Sequence, residues 1–297
     1  MNGVLNVYKE QGFTSHDVVA KLRGILKTKK IGHTGTLDPD AVGVLPVCIG
    51  KATKLCDLIT DWGKTYEAVM LLGTTTDTLD ISGKIVAQSE VNVSEVDVLK
   101  ACNEFIGEYE QIPPMYSALK HNGQKLYELA RKGIEIERKP RTVHINTLRV
   151  NDINLSDKQK TVTITVDCSK GTYIRTLCHD VGEKLGCGGC MEELLRTKVG
   201  RFSLEESHTL SEVQAAMEEG TIQDQIYPVE QVLADYPAVY ADSYGDRLLL
   251  NGNPLSENLV SPQHKEGWVR MYASDKTFTG IFQWDKGKKK YYPVKMF

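Results

Sequence analysis

Apolar residues recur with two different periods in the N-terminal part of the chain. Val18, Val19, Leu22, Ile25 and Leu26 fall at helical spacing behind Thr14 and Ser15, either of which can cap a helix start, so a helix is predicted there. Tyr66 to Leu72 reads as a strand, ended by Gly73 and followed by a polar hairpin around Asp80 to Gly83. Ser94 caps a second predicted helix that runs to Phe105 and stops at Gly107. From Thr161 to Cys168, Thr alternates with Val or Ile, the pattern of a half-buried strand. Ser169-Lys170-Gly171 then turns the chain into a helix beginning near Thr172. Between the first helix and the first strand, Ile31 to Gly50 holds too many Gly and Pro for regular structure and is read as a long irregular loop.

Strands of mixed spacing with interspersed helices predict an α+β sheet fold, and the alternation argues against a doubly wound parallel sheet. Tyr236-Pro237 looks like a boundary. Beyond it the pattern is strand-rich, with segments 268–272, 279–284 and 291–296, and with Lys286, Lys288, Lys289 and Lys290 in the last turn. The chain is therefore divided into a large domain, residues 1–235, and a small β-barrel module, residues 236–297.

The length, 297 residues, suits one large domain plus a small one, and 41% hydrophobic content provides an adequate core. No run of about eighteen apolar residues occurs, so no membrane span is expected. The first residues lack the charged start and apolar stretch of a signal peptide, which points to the cytoplasm. Nothing in the pattern demands more than a monomer. Seven scattered cysteines, an odd number, suggest reduced thiols. Cys187-Gly188-Gly189-Cys190 is the one pair with metal-like spacing. Cys178-His179 lies upstream, but no second such pair follows, so these thiols are read as buried and no metal is expected.

A net charge of −3 is at first sight wrong for a nucleic-acid binder, but its distribution changes that picture. Residues 205–235 hold eight carboxylates and no Lys or Arg; setting those eight aside leaves the remainder at +5. Residues 120–141 carry a local +4, as do residues 1–54. Such basic surfaces can neutralise phosphates or can be merely solvated.

The loop from Ile31 to Gly50 carries the candidate chemistry. It is not a phosphate-binding loop, because position 45 is Leu where the first Gly would stand and Ala52 replaces the hydroxyl. Asp38-Pro39-Asp40 could form a two-carboxylate metal site, although such sites usually end a buried apolar strand. What remains is an aspartate held rigidly, with Pro39 biasing Asp38 to extended geometry and Gly32, Gly35 and Gly43 allowing a ligand close to the backbone. By these residues alone Asp38 fits two roles, a cap for its own loop or a carboxylate aimed at a ligand.

Gly32-His33-Thr34-Gly35-Thr36-Leu37-Asp38-Pro39, continuing through Ala41, Gly43, Val44, Leu45 and Pro46, resembles the catalytic signature of the TruB family of tRNA pseudouridine synthases. Further blocks follow in that family's order: Lys64-Thr65-Tyr66, Gln111 to Lys120, Cys168 to Arg175, and Leu195-Arg196-Thr197. Together they cover roughly residues 1 to 205. The resemblance implies a mostly antiparallel sheet with flanking helices, ending in a small PUA-like RNA-binding module. It implies isomerisation of uridine 55 to pseudouridine in the T-loop of tRNA, with base flipping and with no cofactor.

The same resemblance implies residue roles. Asp38 would be the nucleophile, attacking either the sugar carbon or the base. Arg175 would pair with it and aim it. Tyr66 would stack on the target base and remove the proton from carbon 5. His33 and Tyr173 would be further substrate contacts, His33 filling the space left by the flipped base, and Leu195 would wall the uracil pocket. The Cys187–Cys190 stretch looks like an insertion with no counterpart in the family.

Overall fold

Two sheets organise the chain, and a computed structural model describes residues 1–297. The large sheet begins with β1 (Gly3–Lys9), β2 (Ile31–His33) and β3 (Val42–Ile49), with α1 (Ser15–Ile25) between the first two. The short α2 (Cys56–Thr60) leads into β4 (Lys64–Leu72), the hairpin of β5 (Thr74–Thr76) and β6 (Ile85–Gln88), α3 (Glu95–Asn103) and β7 (Gly107–Gln111). A small excursion holds β8 (Lys120–His121), β9 (Gln124–Lys125) and α4 (Leu126–Ala130). The chain returns through β10 (Arg141–Asn154), β11 (Thr161–Cys168), α5 (Ile174–Lys184), β12 (Gly189–Val199) and β13 (Phe202–Ser203). The acidic segment supplies α6 (Leu210–Glu219), β14 (Ile226–Tyr227) and α7 (Val229–Val232).

The main strand order is β14-β1-β3-β12-β4-β11-β10-β7, with β2 also on β3 and β13 also on β12. Every pairing is antiparallel except β3 with β12, where Leu195 faces Val42 and Arg196 faces Gly43. The expected mixed, mostly antiparallel sheet with flanking helices is therefore present. α3 and α5 share one core cluster with β4, β10 and β11. α1 and α6 share another with β1 and β3. Thr14 caps α1 and Ser94 caps α3, each in a capping box closed by the aspartate three residues on.

The segment 31–50 is not a single irregular loop. Its ends are β2 and β3, and only residues 34–41 lie outside them. β3 reads Val-Gly-Val-Leu-Pro-Val-Cys-Ile and is buried nearly throughout, so it lacks the alternation that marks a half-exposed strand. Pro46 is tolerated because its carbonyl, and hence its missing N–H, faces a gap. On that side β12 pairs only Val42 and Gly43, β2 pairs only Val47 to Ile49, and Thr34 N–H donates to Pro46 O.

Cys187 and Gly188 lie in the turn between α5 and β12, and Gly189 and Cys190 open β12. A Cβ on Gly182 would lie 2.3 Å from Gly189 N, so the glycine pair serves close helix–strand approach. Both thiols are buried, and burial pushes Cys190 up to about 11.

The small sheet comprises β15 (Ala238–Ala241), β16 (Leu255–Ser256), β17 (Val260–Ser261), β18 (Trp268–Tyr272), β19 (Phe278–Asp285) and β20 (Lys290–Met296), with α8 (Asp246–Leu250) beside it. Its order is β16-β20-β19-β18-β15-β17. A flat sheet would hold its two edge strands about 24 Å apart. Only residues 257–259 separate β16 from β17 in the chain, a reach of at most about 14 Å. The sheet must therefore curl toward closure, as a barrel does. Ile281 of β19 joins the cluster of Val4, Val199, Phe202, Val232 and Leu233, so the small sheet and the large one share a core.

Candidate active site

The loop of residues 34–41 is tied down at several points. Thr34 donates through both N–H and hydroxyl to Pro46 O. Leu37 N–H donates to Ser15 Oγ at 2.9 Å, and the Leu37 side chain enters the core cluster that holds Tyr66. Pro39 O accepts from Gly12 N–H at 2.9 Å and from the buried Lys9 Nζ at 3.0 Å. The loop's shape is thus secured without help from Asp38.

Asp38 does not cap the loop. No backbone amide donates to its carboxylate, which meets Arg175 alone, Nε to Oδ2 at 3.0 Å and Nη2 to Oδ1 at 3.3 Å. Its side chain is 40% exposed, whereas that of Arg175 is 6% exposed. One carboxylate edge is held by a rigid fork and the rest faces open space. Burial of the surroundings pushes the Asp38 carboxyl up from the ordinary aspartate value, the Arg175 guanidinium opposes this, and Asp80 adds to it.

Arg175 is fixed by the first turn of α5 and by further acceptors. Nη1 donates to Thr78 O at 3.1 Å and lies 3.4 Å from Asp80 Oδ2, while Nη2 also donates to Tyr116 O at 2.9 Å. Asp80 and Tyr116 were not expected at the site. Asp80 reads in sequence as one more polar turn residue, and Tyr116 contributes only its carbonyl.

Tyr66 lies buried in β4, opposite Val166 of β11 and Arg196 of β12. Burial raises its phenol pKa, and the Arg196 guanidinium counters that. Tyr173 is the residue before α5, and the side-chain amide of Gln111 clamps its backbone. Gln111 Oε1 accepts from Tyr173 N–H at 2.7 Å and Nε2 donates to Tyr173 O at 3.0 Å. Asp38 acts electrostatically on both phenols, so Asp38, Arg175, Tyr66 and Tyr173 form one group.

His33 and Leu195 flank the same loop. His33 ends β2, and its Nδ1 accepts from Gly35 N–H at 3.3 Å. The His16 ring meets it edge-on at 5.3 Å. Burial, aided by His16 and Arg196, lowers His33 to about 4, so it is neutral near pH 7. Leu195 is partly buried in β12, opposite Val42 of β3. Lys9, Gln111 and Arg196, all buried, also hold this site together, and none carried a role by sequence. Their one signal is position, since Gln111 and Arg196 fall inside the ordered blocks.

Nowhere do three or more His, Cys, Asp or Glu side chains converge as a metal site would need, so Asp38 and Asp40 have no third ligand. A cleft of about 550 Å³, with Leu72, Ile85 and Lys160 in its walls, lies at the opposite end of β4 from Tyr66.

Fold and site together define an enzyme of the pseudouridylate synthase class. Residues 23–174 match the family described as TruB family pseudouridylate synthase (N terminal domain), and residues 175–234 match the tRNA pseudouridylate synthase B C-terminal domain. The chain belongs to the TruB family. It is similar to proteins named tRNA pseudouridine synthase B from Lachnoclostridium phytofermentans, 51% identical with 100% of each chain covered, and from Clostridium tetani, 46% identical with 95% and 96% covered. Among solved structures it resembles an H/ACA RNP bound to a substrate RNA containing 2'-deoxyuridine, with a TM-score of 0.73 and 26% identity over 99% of this chain and 84% of that one. It also resembles a Cbf5-Nop10-Gar1 complex, with a TM-score of 0.73 and 29% identity over 95% of this chain and 78% of that one.

Proposed function

We propose that this enzyme isomerises uridine 55 to pseudouridine in the T-loop of tRNA, with Asp38 as nucleophile. The observation that carries the reading is the Asp38 carboxylate, held on one edge by Arg175 and open on the other. Membership of the family and the relatives' names supply the reaction and the RNA. A uridine stacked inside a folded loop is out of reach of Asp38, so the base is flipped out, with Tyr66 stacking on it. Tyr66 then takes the proton from carbon 5, Tyr173 is a further substrate contact, and Leu195 walls the uracil. His33, neutral and flat, fills the gap that the base leaves.

The T-arm lies along the exposed cations of the excursion, among them Lys120, Arg131, Lys132, Lys139 and Arg141. Residues 236–297 act as a PUA-like RNA-binding module distinct from the catalytic residues 1–235, and the protein works as a cytoplasmic monomer. No helix is long and apolar enough to cross a membrane. The test is tritium release from tRNA carrying 5-tritiated uridine. Asp38→Asn should abolish release while leaving tRNA affinity near that of the parent. Undiminished release from that variant would overturn the nucleophile.

A further inference from the structure

Arg196 is the largest of the fully buried side chains, 1% exposed, and none of the chain's ion pairs involves it. A guanidinium stays charged in a protein interior, so an unpaired one in a core is a costly feature that calls for a role. Its donors point at two strategic acceptors. Nε donates to Val44 O at 2.7 Å, and Nη2 donates to Gly35 O at 3.2 Å, inside the loop that carries Asp38. The third neighbour is Tyr66, directly across the β4–β12 ladder, where opposed side chains stand on one face.

We propose that Arg196 is a positioning residue for the reaction, holding the Tyr66 oxygen and the Asp38 loop in one fixed relation and stabilising Tyr66 as the anion that takes the carbon 5 proton. This rests on the isomerisation proposed above. Once the new C5–C1′ bond has formed, carbon 5 carries both the ribose and its original hydrogen, and N1 is doubly bonded to C6. The C5–H bond breaks and its proton passes to the Tyr66 oxygen. The freed pair closes C5=C6, the N1=C6 pair moves to N1, and N1 takes up from water the proton that the Tyr66 phenol gave to water on becoming the anion. Uridine and pseudouridine thus exchange N1–C1′ and C5–H for C5–C1′ and N1–H, and no oxidant or second reactant is needed. The anionic moment falls on Tyr66, whose other charged or titratable neighbours are Asp38 in the loop and Cys168 on β11. Both disfavour a phenolate, and Arg196 alone among these neighbours favours one.

The test compares tRNA bearing protium or deuterium at carbon 5 of the target uridine in single-turnover pseudouridine formation. Arg196→Met should slow turnover about 100-fold, the low end for a displaced proton-transfer group. It should also show a primary isotope effect larger than that of the parent, because proton removal has become limiting. Arg196→Lys, which keeps the charge without the fork, should fall between the two in both rate and isotope effect. If Arg196→Met does not fold, the lysine variant decides: a raised isotope effect supports the proposal, an unchanged one overturns it. A rate loss with no change in isotope effect also overturns it, since loop disorder would not single out the C–H step. If the parent enzyme forms no pseudouridine in tRNA, the proposed function fails instead.

Discussion

Asp38 and Arg175 stand 137 positions apart in the chain and meet through two contacts, 3.0 and 3.3 Å long, that use one face of the carboxylate. The same guanidinium also reaches Asp80, Thr78 O and Tyr116 O. One buried cation therefore joins the Asp38 loop, the β5–β6 hairpin and the segment leading to the basic excursion.

Arg175→Met should leave the Asp38 carboxylate, Oδ2 of Asp80 and two carbonyls without their partner. Loss of one member of a buried pair costs about 3 kcal/mol, reduced here because Asp38 is partly exposed. Urea denaturation should report about 2 kcal/mol. With the cation gone, the Asp38 carboxyl holds its proton more strongly. The acid limb of the rate–pH profile of any residual activity should therefore move to higher pH.

His33 makes stability sensitive to acid. Its pKa is about 4 in the fold and 6.5 unperturbed, so between these values the unfolded chain binds a proton that the folded one does not. The stability it contributes is present above pH 6.5 and is lost as the pH falls toward 4. The loss should be on the order of 1–3 kcal/mol. Unfolding curves for the parent and His33→Asn at pH 7 and pH 4.5 should converge at the lower pH, and curves that stay parallel would refute this.

Gly43 sits at φ +109°, where a Cβ would come within 2.3 Å of Arg196 O. Gly43→Ala should cost about 3 kcal/mol or more, through backbone strain and through forcing β3 from β12. Thermal melts give the stability. Activity should fall as well, because Arg196 and the Asp38 loop lie on the two sides of that contact.

Ile281 is 1% exposed in the core shared by the two sheets. Ile281→Ala should cost about 2–4 kcal/mol for the cavity it leaves. If the shared core couples the sheets, tRNA binding should weaken more than the rate of bound substrate changes. Equal losses in both would point to general unfolding.

The sequence made some of this legible for definite physical reasons. α1 and α3 were readable because an amphipathic stripe followed a hydroxyl cap, and β11 because Thr alternated with branched apolar residues. β3 was not, because both its faces are covered and it tolerates a glycine and a proline that usually mark loops. Asp38, Arg175 and Tyr66 came from the resemblance, since residue physics alone left Asp38 closer to a cap than to a reactant. The roles of Asp80, Lys9 and Arg196 were not legible, because they lie in what the fold brings to them. Lys9 finds Pro39 O thirty positions away, and Arg196 finds Gly35 O across 161.

The curled sheet at the C-terminus has one more consequence through its shared core. Because Ile281 is buried with Val199 and Phe202, the module is no tethered bead swinging on a linker. Any RNA that touched both the module and Asp38 would therefore have to span a set length.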